Sequence, residues 1–329
     1  MNGDHFDLAI GGDVDTESSS AYINASFDIL PDLTLTGGLR LTKDDKNSNI
    51  QRIGYKTTNS SPYSQTQGTG FTYGDPNNDQ QVLVFTDINA TQANKDWSEL
   101  SPSVKLNWQM NDAIMLYISY AEGFKSGGFD MRGDATKNPN IAEGYDPETV
   151  ETFAAGVKTQ LWDDRLRLNF TVFDMDYSDM QLTVQKAQPA PVFFSSDVVN
   201  AGTAEIQGAE LEALLQVTSG ISTSVSIGNM NTELTEVISG GKDVSDSCEM
   251  LNAPDWTGQA GINYQRDFGN AGSLILNNSA SYRDSSRNFN NVACSCDQDQ
   301  SYTLLNASAN WYSADEHWTV SLYLIPEKH

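Results

Sequence analysis

The chain has 329 residues, 38% of them hydrophobic and 10% aromatic, with 19 Lys and Arg against 44 Asp and Glu, a formal charge of −25. That share of large apolar side chains excludes a disordered polymer, and the surplus of carboxylates excludes a polyanionic partner such as nucleic acid. The sequence has no apolar run near the roughly 18 residues of a spanning helix, but a spanning strand is apolar only at alternate positions and escapes that test. Three cysteines, Cys248, Cys294 and Cys296, are too few for a disulfide scaffold and lack the paired spacing of a zinc site. The opening Met1-Asn2-Gly3-Asp4-His5 has neither a basic nor an apolar stretch, so no signal peptide is expected there.

Alternation with a period of two recurs along the chain. Ile23, Ala25, Phe27 and Ile29 alternate with Tyr22, Asn24, Ser26 and Asp28; beyond Pro31-Asp32, Leu33, Leu35, Leu39 and Leu41 alternate with Thr34, Thr36, Arg40 and Thr42. This predicts two strands joined by a tight turn. Val104, Leu106 and Trp108 lead to Asn111-Asp112, and Ile114, Leu116, Ile118 and Tyr120 return. Phe153, Ala155, Val157 and Leu161 descend to Asp163-Asp164, and Leu166, Leu168, Phe170 and Val172 rise again. Further tight turns are predicted at Thr218-Ser219-Gly220, at Gly269-Asn270-Ala271-Gly272 and between Ser313 and His317. The template gives about 12 strands, many of roughly 10 to 20 residues, where a tilted spanning strand needs about 9–11. Between the tight turns lie long connections, residues 45–96, 126–145, 186–196, 237–253 and 284–300, which must all emerge on one side.

Alternation alone also fits a soluble sandwich. The tryptophans separate the two, because all six lie near strand ends, Trp108, Trp162, Trp311 and Trp318 beside short turns and Trp97 and Trp256 beside long loops. Two interfacial girdles are expected to produce this, although Trp97 and Trp162 are out of phase with the apolar positions of their strands. The opposite face carries Arg40, Lys105, Asn107, Lys158, Arg167, Asn263 and Gln265, which suit a watery lumen better than a packed core. The fold expected is all-β, an antiparallel up-and-down transmembrane β-barrel, present as about 12 strands of a larger one.

The stretches Tyr120-Ala-Glu-Gly-Phe-Lys-Ser-Gly-Gly-Phe129, Tyr145-Asp-Pro-Glu-Thr-Val-Glu-Thr152 and Asn200-Ala-Gly-Thr-Ala-Glu-Ile-Gln-Gly-Ala-Glu-Leu-Glu212 resemble the C-terminal barrel portion of TonB-dependent receptors. The resemblance runs from about Ala21 to Leu324. It implies a location in the bacterial outer membrane and import of a scarce nutrient, a ferric siderophore or similar iron complex foremost. It further implies contact with outer-membrane lipid and a link to the TonB complex through a plug. Such barrels have about 22 strands around a plug. Residues 1–329 are therefore expected to be a partial barrel domain with neither plug nor TonB-contacting box, ending at Ile325-Pro-Glu-Lys-His329 short of the family's last strand. No cofactor is expected.

Within the resemblance, Lys125, Phe129 and Arg132 sit where a strand passes into a long loop, a place where the family contacts ligand. Arg suits a carboxylate or phosphate, while the glycines of Phe124-Lys-Ser-Gly-Gly-Phe129 equally fit a bend in the rim. The loop aromatics Tyr55, Tyr63, Phe71, Tyr73, Phe193, Phe194 and Phe289 could stack on a siderophore or sugar, or pack the loops on one another. Gly74-Asp-Pro-Asn-Asn-Asp-Gln80 offers oxygen ligands but misses the closing Glu of a calcium loop, and reads as a turn. Asp163 and Asp164 are placed by turn chemistry rather than catalysis. His5, His317 and His329 lie at ends or in a turn, and no nucleophile elbow or phosphate loop is present, so an enzyme is not expected. A bridge from Cys248 to Cys294 or Cys296, between neighbouring loops, is expected in an oxidising compartment. The alternative functions are a passive porin-like barrel and a secreted carbohydrate-binding β-sandwich.

Overall fold

The computed structural model describes residues 5–57, 81–86, 91–130, 142–187, 194–239, 241–287 and 298–324. Twelve strands make the wall: β1 (His5–Leu30), β2 (Leu33–Thr57), β3 (Thr91–Asn111), β4 (Ile114–Lys125), β5 (Glu148–Leu161), β6 (Leu166–Ser178), β7 (Gly202–Thr218), β8 (Ile221–Ser239), β9 (Trp256–Asp267), β10 (Ser273–Arg283), β11 (Tyr302–Tyr312) and β12 (Thr319–Leu324). Each pairs antiparallel with its neighbours in the chain, so the sheet is a single meander from β1 to β12. This is one sheet with one apolar face, not two sheets packed face to face as a sandwich requires.

The tight turns fall where the sequence places them. Trp162, Asp163 and Asp164 take left-handed backbone at φ of 58°, 53° and 63°, a conformation short polar residues tolerate better than most, which gives the two acids a structural role. The register then fixes the faces. Leu116, Val157, Phe170, Leu211 and Ile227 stand abreast across β4 to β8. On the same face Ile23, Phe27, Ile118, Phe153 and Leu305 are 55% or more exposed, so nothing among the described residues covers this apolar surface. Trp108 and Trp311 bound it on the turn side, where their indoles donate to Asp32 and to the Ala271 carbonyl at 3.0 and 2.9 Å.

On the loop side the same face ends abruptly. Glu122, Glu151, Asp176, Glu205 and Glu233 form a second row abreast, directly above the apolar band. Opposed like charges weaken a sheet, and they are tolerable only where water screens them. At ~3.3 Å per residue and a tilt of about 45°, the stretch from Leu166 to Asp176 rises roughly 23 Å, close to the ~25 Å height of an outer-membrane apolar band.

Two expectations about connections change. Residues 45–96 are not one long loop: β2 continues to Thr57, β3 begins at Thr91, and Gln81–Thr86 pairs with β2. Within 186–196, Gln181–Ala187 and Phe194–Asn200 pair as a small separate hairpin. Trp97 is also not a girdle residue, because it lies on the polar face and is only 7% exposed. Trp162 belongs to a turn, where strand parity has no meaning.

Candidate functional site

The buried hydrophobic residues among those described, Trp97, Phe129, Met180, Ala204, Ile206 and Val237, all lie toward the loop side. At the rim of β2 and β3 the register sets Lys46 beside Lys95 and Asp44 beside Trp97. Both ammonium groups approach the indole of Trp97, Lys46 at 5.8 Å and Lys95 at 5.2 Å from the ring centroid, within cation–π range. Phe129 closes over it with ring centroids 6.0 Å apart.

The segment after β4 reaches this cluster because it has glycine where a side chain cannot fit. A Cβ on Gly127 would strike the Trp97 ring and come within 2.5 Å of the Tyr145 carbonyl. The backbone is then held by the strands below it: Lys46 Nζ donates to the Gly127 carbonyl at 2.6 Å, and Gly128 and Tyr145 exchange backbone hydrogen bonds at 3.0 and 2.8 Å. Asp146 is the hub. Its Oδ1 accepts from Lys95 at 2.7 Å and from the Trp97 indole at 3.2 Å, and the Asn200 side chain bonds both its amide and its carbonyl. The hydrogen bond from Lys95 holds the Asp146 carboxyl below the usual aspartate range against the opposing effect of burial, with a further contribution from the indole. Gln181 donates to the carbonyls of Ser126 and Asp146, and its own N–H to Glu148. The arrangement ties the two ends of the connection between β4 and β5, residues 126–130 and 142–147, down onto the polar face among aromatics and cations.

Two of the residues expected at the site, Lys125 and Phe129, are gathered here. Lys125 reaches toward Glu148 at 3.9 Å, and Phe129 is 7% exposed against Trp97, so the bend and the rim position are one feature. Arg132, Tyr73, Phe193 and Phe289 lie outside the described residues, as do residues 74–80, and Phe194 is described only as the first residue of its strand. Cys248 is described, in the connection after β8, while Cys294 and Cys296 are outside the described residues. Sequence reasoning missed Lys46, Lys95, Trp97, Asp146, Gln181 and Asn200 as members of this cluster. The signal was present in the broken parity of Trp97. Among the described residues no group of three or more His, Cys, Asp or Glu could hold a metal ion. Among the described residues no helix is long and apolar enough to cross a membrane, which says nothing of a β-barrel.

Residues 3–325 match the family of TonB dependent receptor-like β-barrels. Over 183 residues the chain is 26% identical to the metal-pseudopaline receptor CntO of Pseudomonas aeruginosa, covering 52% of this chain and 23% of that one. Among solved structures it is similar to the ferric yersiniabactin uptake receptor FyuA of Yersinia pestis, with a TM-score of 0.68 at 17% identity over 96% of this chain and 41% of that one. It is also similar to the siderophore receptor PiuA of Acinetobacter baumannii, with a TM-score of 0.61 at 19% identity over 91% and 37%. The chain thus spans less than half the length of each of these three relatives. With a single up-and-down wall, an uncovered apolar face and a family match over nearly its whole length, the chain belongs to the outer-membrane β-barrels of the TonB-dependent receptors.

Proposed function

We propose that this chain forms part of the wall and outer rim of a receptor that takes up a ferric siderophore or a similar iron complex, driven by the TonB system. The observation that supports this reading is the rim cluster, in which the two described ends of the connection between β4 and β5, residues 126–130 and 142–147, are held on the lumen-facing side by Asp146, Lys95 and Trp97. A rim so ordered presents a preformed surface to a solute, and preorganised surfaces bind with less entropy lost. The names of relatives point the same way, toward metal complexes. In this reading residues 1–329 are part of a barrel domain, and the plug and the contact with TonB belong to other parts of the receptor. Lys125, Phe129, Arg132, Tyr73, Phe193, Phe194 and Phe289 remain the candidate ligand contacts. The test is uptake of radiolabelled iron by iron-starved cells, with the gene present or deleted and TonB active or inactivated. Uptake that depends on both is expected; uptake independent of TonB would replace the reading with that of a passive porin.

A further inference from the structure

The outward face, which a closed wall leaves open to lipid, carries a hollow of about 780 Å³ in the middle of the sheet. Its floor is low because Ala155 of β5 stands in register between Ile118 of β4 and Val172 of β6, so a one-carbon side chain is flanked by branched ones. Leu35, Val104 and Leu106 extend it on one side. Its loop-side edge is the next outward row, Tyr120, Phe153, Asp174 and Gln207, abreast from β4 to β7. The rings of Tyr120 and Phe153 pack with centroids 4.7 Å apart, and the Tyr120 hydroxyl bonds to Glu122 at 2.5 Å and to Glu151 at 3.2 Å. Two carboxylates are thereby gathered above the apolar hollow, beside a third, Asp174, in its edge.

The charge of this sector has one sign. At the outward positions of β4 to β8 the charged residues are Glu122, Glu151, Asp174, Asp176, Glu205 and Glu233, all of them acids. The cations of the same strands, Lys125, Lys158 and Arg167, all take the opposite, lumen-facing positions. Lys43, outward on β2, is already paired with Asp96 of β3 at 3.3 Å. An anionic lipid head beside this edge meets repulsion, which is screened less next to hydrocarbon than in open water. A head that carries an ammonium group meets attraction instead. The chain of the lipid makes no such choice, since one acyl chain is as apolar as another, but a hollow that fits it prolongs contact and brings its head against the carboxylates.

We infer that the hollow seats an acyl chain of a membrane lipid whose head bears an ammonium group, and that Asp174, Glu122 and Glu151 receive that group. The seat lies on the far side of the wall from the lumen, so it is separate from whatever fills the barrel or passes through it.

The probes are phosphatidylethanolamine and phosphatidylglycerol with identical chains, which share the phosphate and differ in the ammonium group. The full receptor, with photoreactive benzoylphenylalanine in place of Val172, is placed in nanodiscs holding equal amounts of the two, irradiated in buffer with magnesium, and the attached lipid is identified by mass. Phosphatidylethanolamine is expected in at least about threefold excess, the size of an exposed ion-pair preference, and the excess should vanish in E122Q/E151Q/D174N while the total yield is retained. In A155F, which fills the floor of the hollow, the yield of both lipids should fall. Both variants should keep the heat-dependent gel mobility of the parent barrel. Equal attachment of the two lipids to the parent, an excess that survives in E122Q/E151Q/D174N, or an undiminished yield in A155F would overturn the seat. So would an excess of phosphatidylglycerol, which would assign the carboxylates to a metal ion shared with lipid phosphate.

Discussion

Asp146 joins segments that are distant in the chain: Lys95 and Trp97 on β3, and Asn200 just before β7, all meet on its carboxylate or its backbone. Because the folded protein holds this carboxyl below its ordinary value of 3.8, the clasp contributes stability that is fully present above that value and is lost as pH falls through the lowered one. Trp97 emission should therefore stay constant from about pH 8 to about pH 5 and shift only in stronger acid. In Asp146→Asn the shift should already be present at neutral pH, together with faster amide exchange on both sides of the loop, at 126–130 and 142–147. An emission spectrum of Trp97 that is the same in both proteins would remove Asp146 from this role. Trp97 also shows why residue-level roles were only half legible. Its sequence position gave the right end of the strand, but its partners Phe129 and Asp146 arrive through a loop whose path depends on close approach at Gly127, which alternation does not encode.

At the scale of the strand, the sequence located elements wherever one face meets lipid and the other water, and it failed where both faces meet water. β1 and β2 pair without a break from Asp28 with Thr34 up to His5 with Thr57. Their upper parts, such as Asp15 to Ser20 and Lys43 to Asn49, are polar at every position, so the backbone ladder continues while the alternation that betrays it has stopped. The row of five acids marks where this change occurs on β4 to β8. Within the band the faces have opposite tolerances. Leu168→Arg puts a charge on the lipid side and should cost about 2–4 kcal/mol in the complete barrel, while Thr171→Arg, on the lumen side, should cost little. Denaturant-driven unfolding in lipid vesicles measures both, and the reverse order would exchange the two faces throughout the wall.

For the whole molecule, the loops on the outer side act on one another as well as on the wall. The connection after β8 touches the one after β10: Arg287 meets Glu249 at 2.7 Å, and Leu251 bridges to Arg287 along the backbone. Burial pushes the Cys248 thiol up, against a smaller opposite pull from Arg287, so it is a poor free nucleophile. Because the two connections touch, we propose a bridge from Cys248 to Cys294 or Cys296, closing a loop of about 45 residues and removing roughly 4 kcal/mol of chain entropy in the usual treatment. Peptide mapping without reduction should recover Cys248 only in a cross-linked peptide; its alkylation as a free thiol in the native receptor would disprove the bridge. The acid row carries a last consequence. Five carboxylates abreast cannot be drawn into hydrocarbon, so they act as a waterline that stops the wall from sinking, and the apolar rows beneath stop it from rising. With the waterline fixed, the part of the β1–β2 hairpin beyond Leu41 stands clear of the bilayer by roughly 35 Å at ~3.3 Å per residue and a tilt of about 45°. The protein thus carries a rigid mast of paired backbone, and a passing solute meets it well before reaching the surface of the cell's lipid.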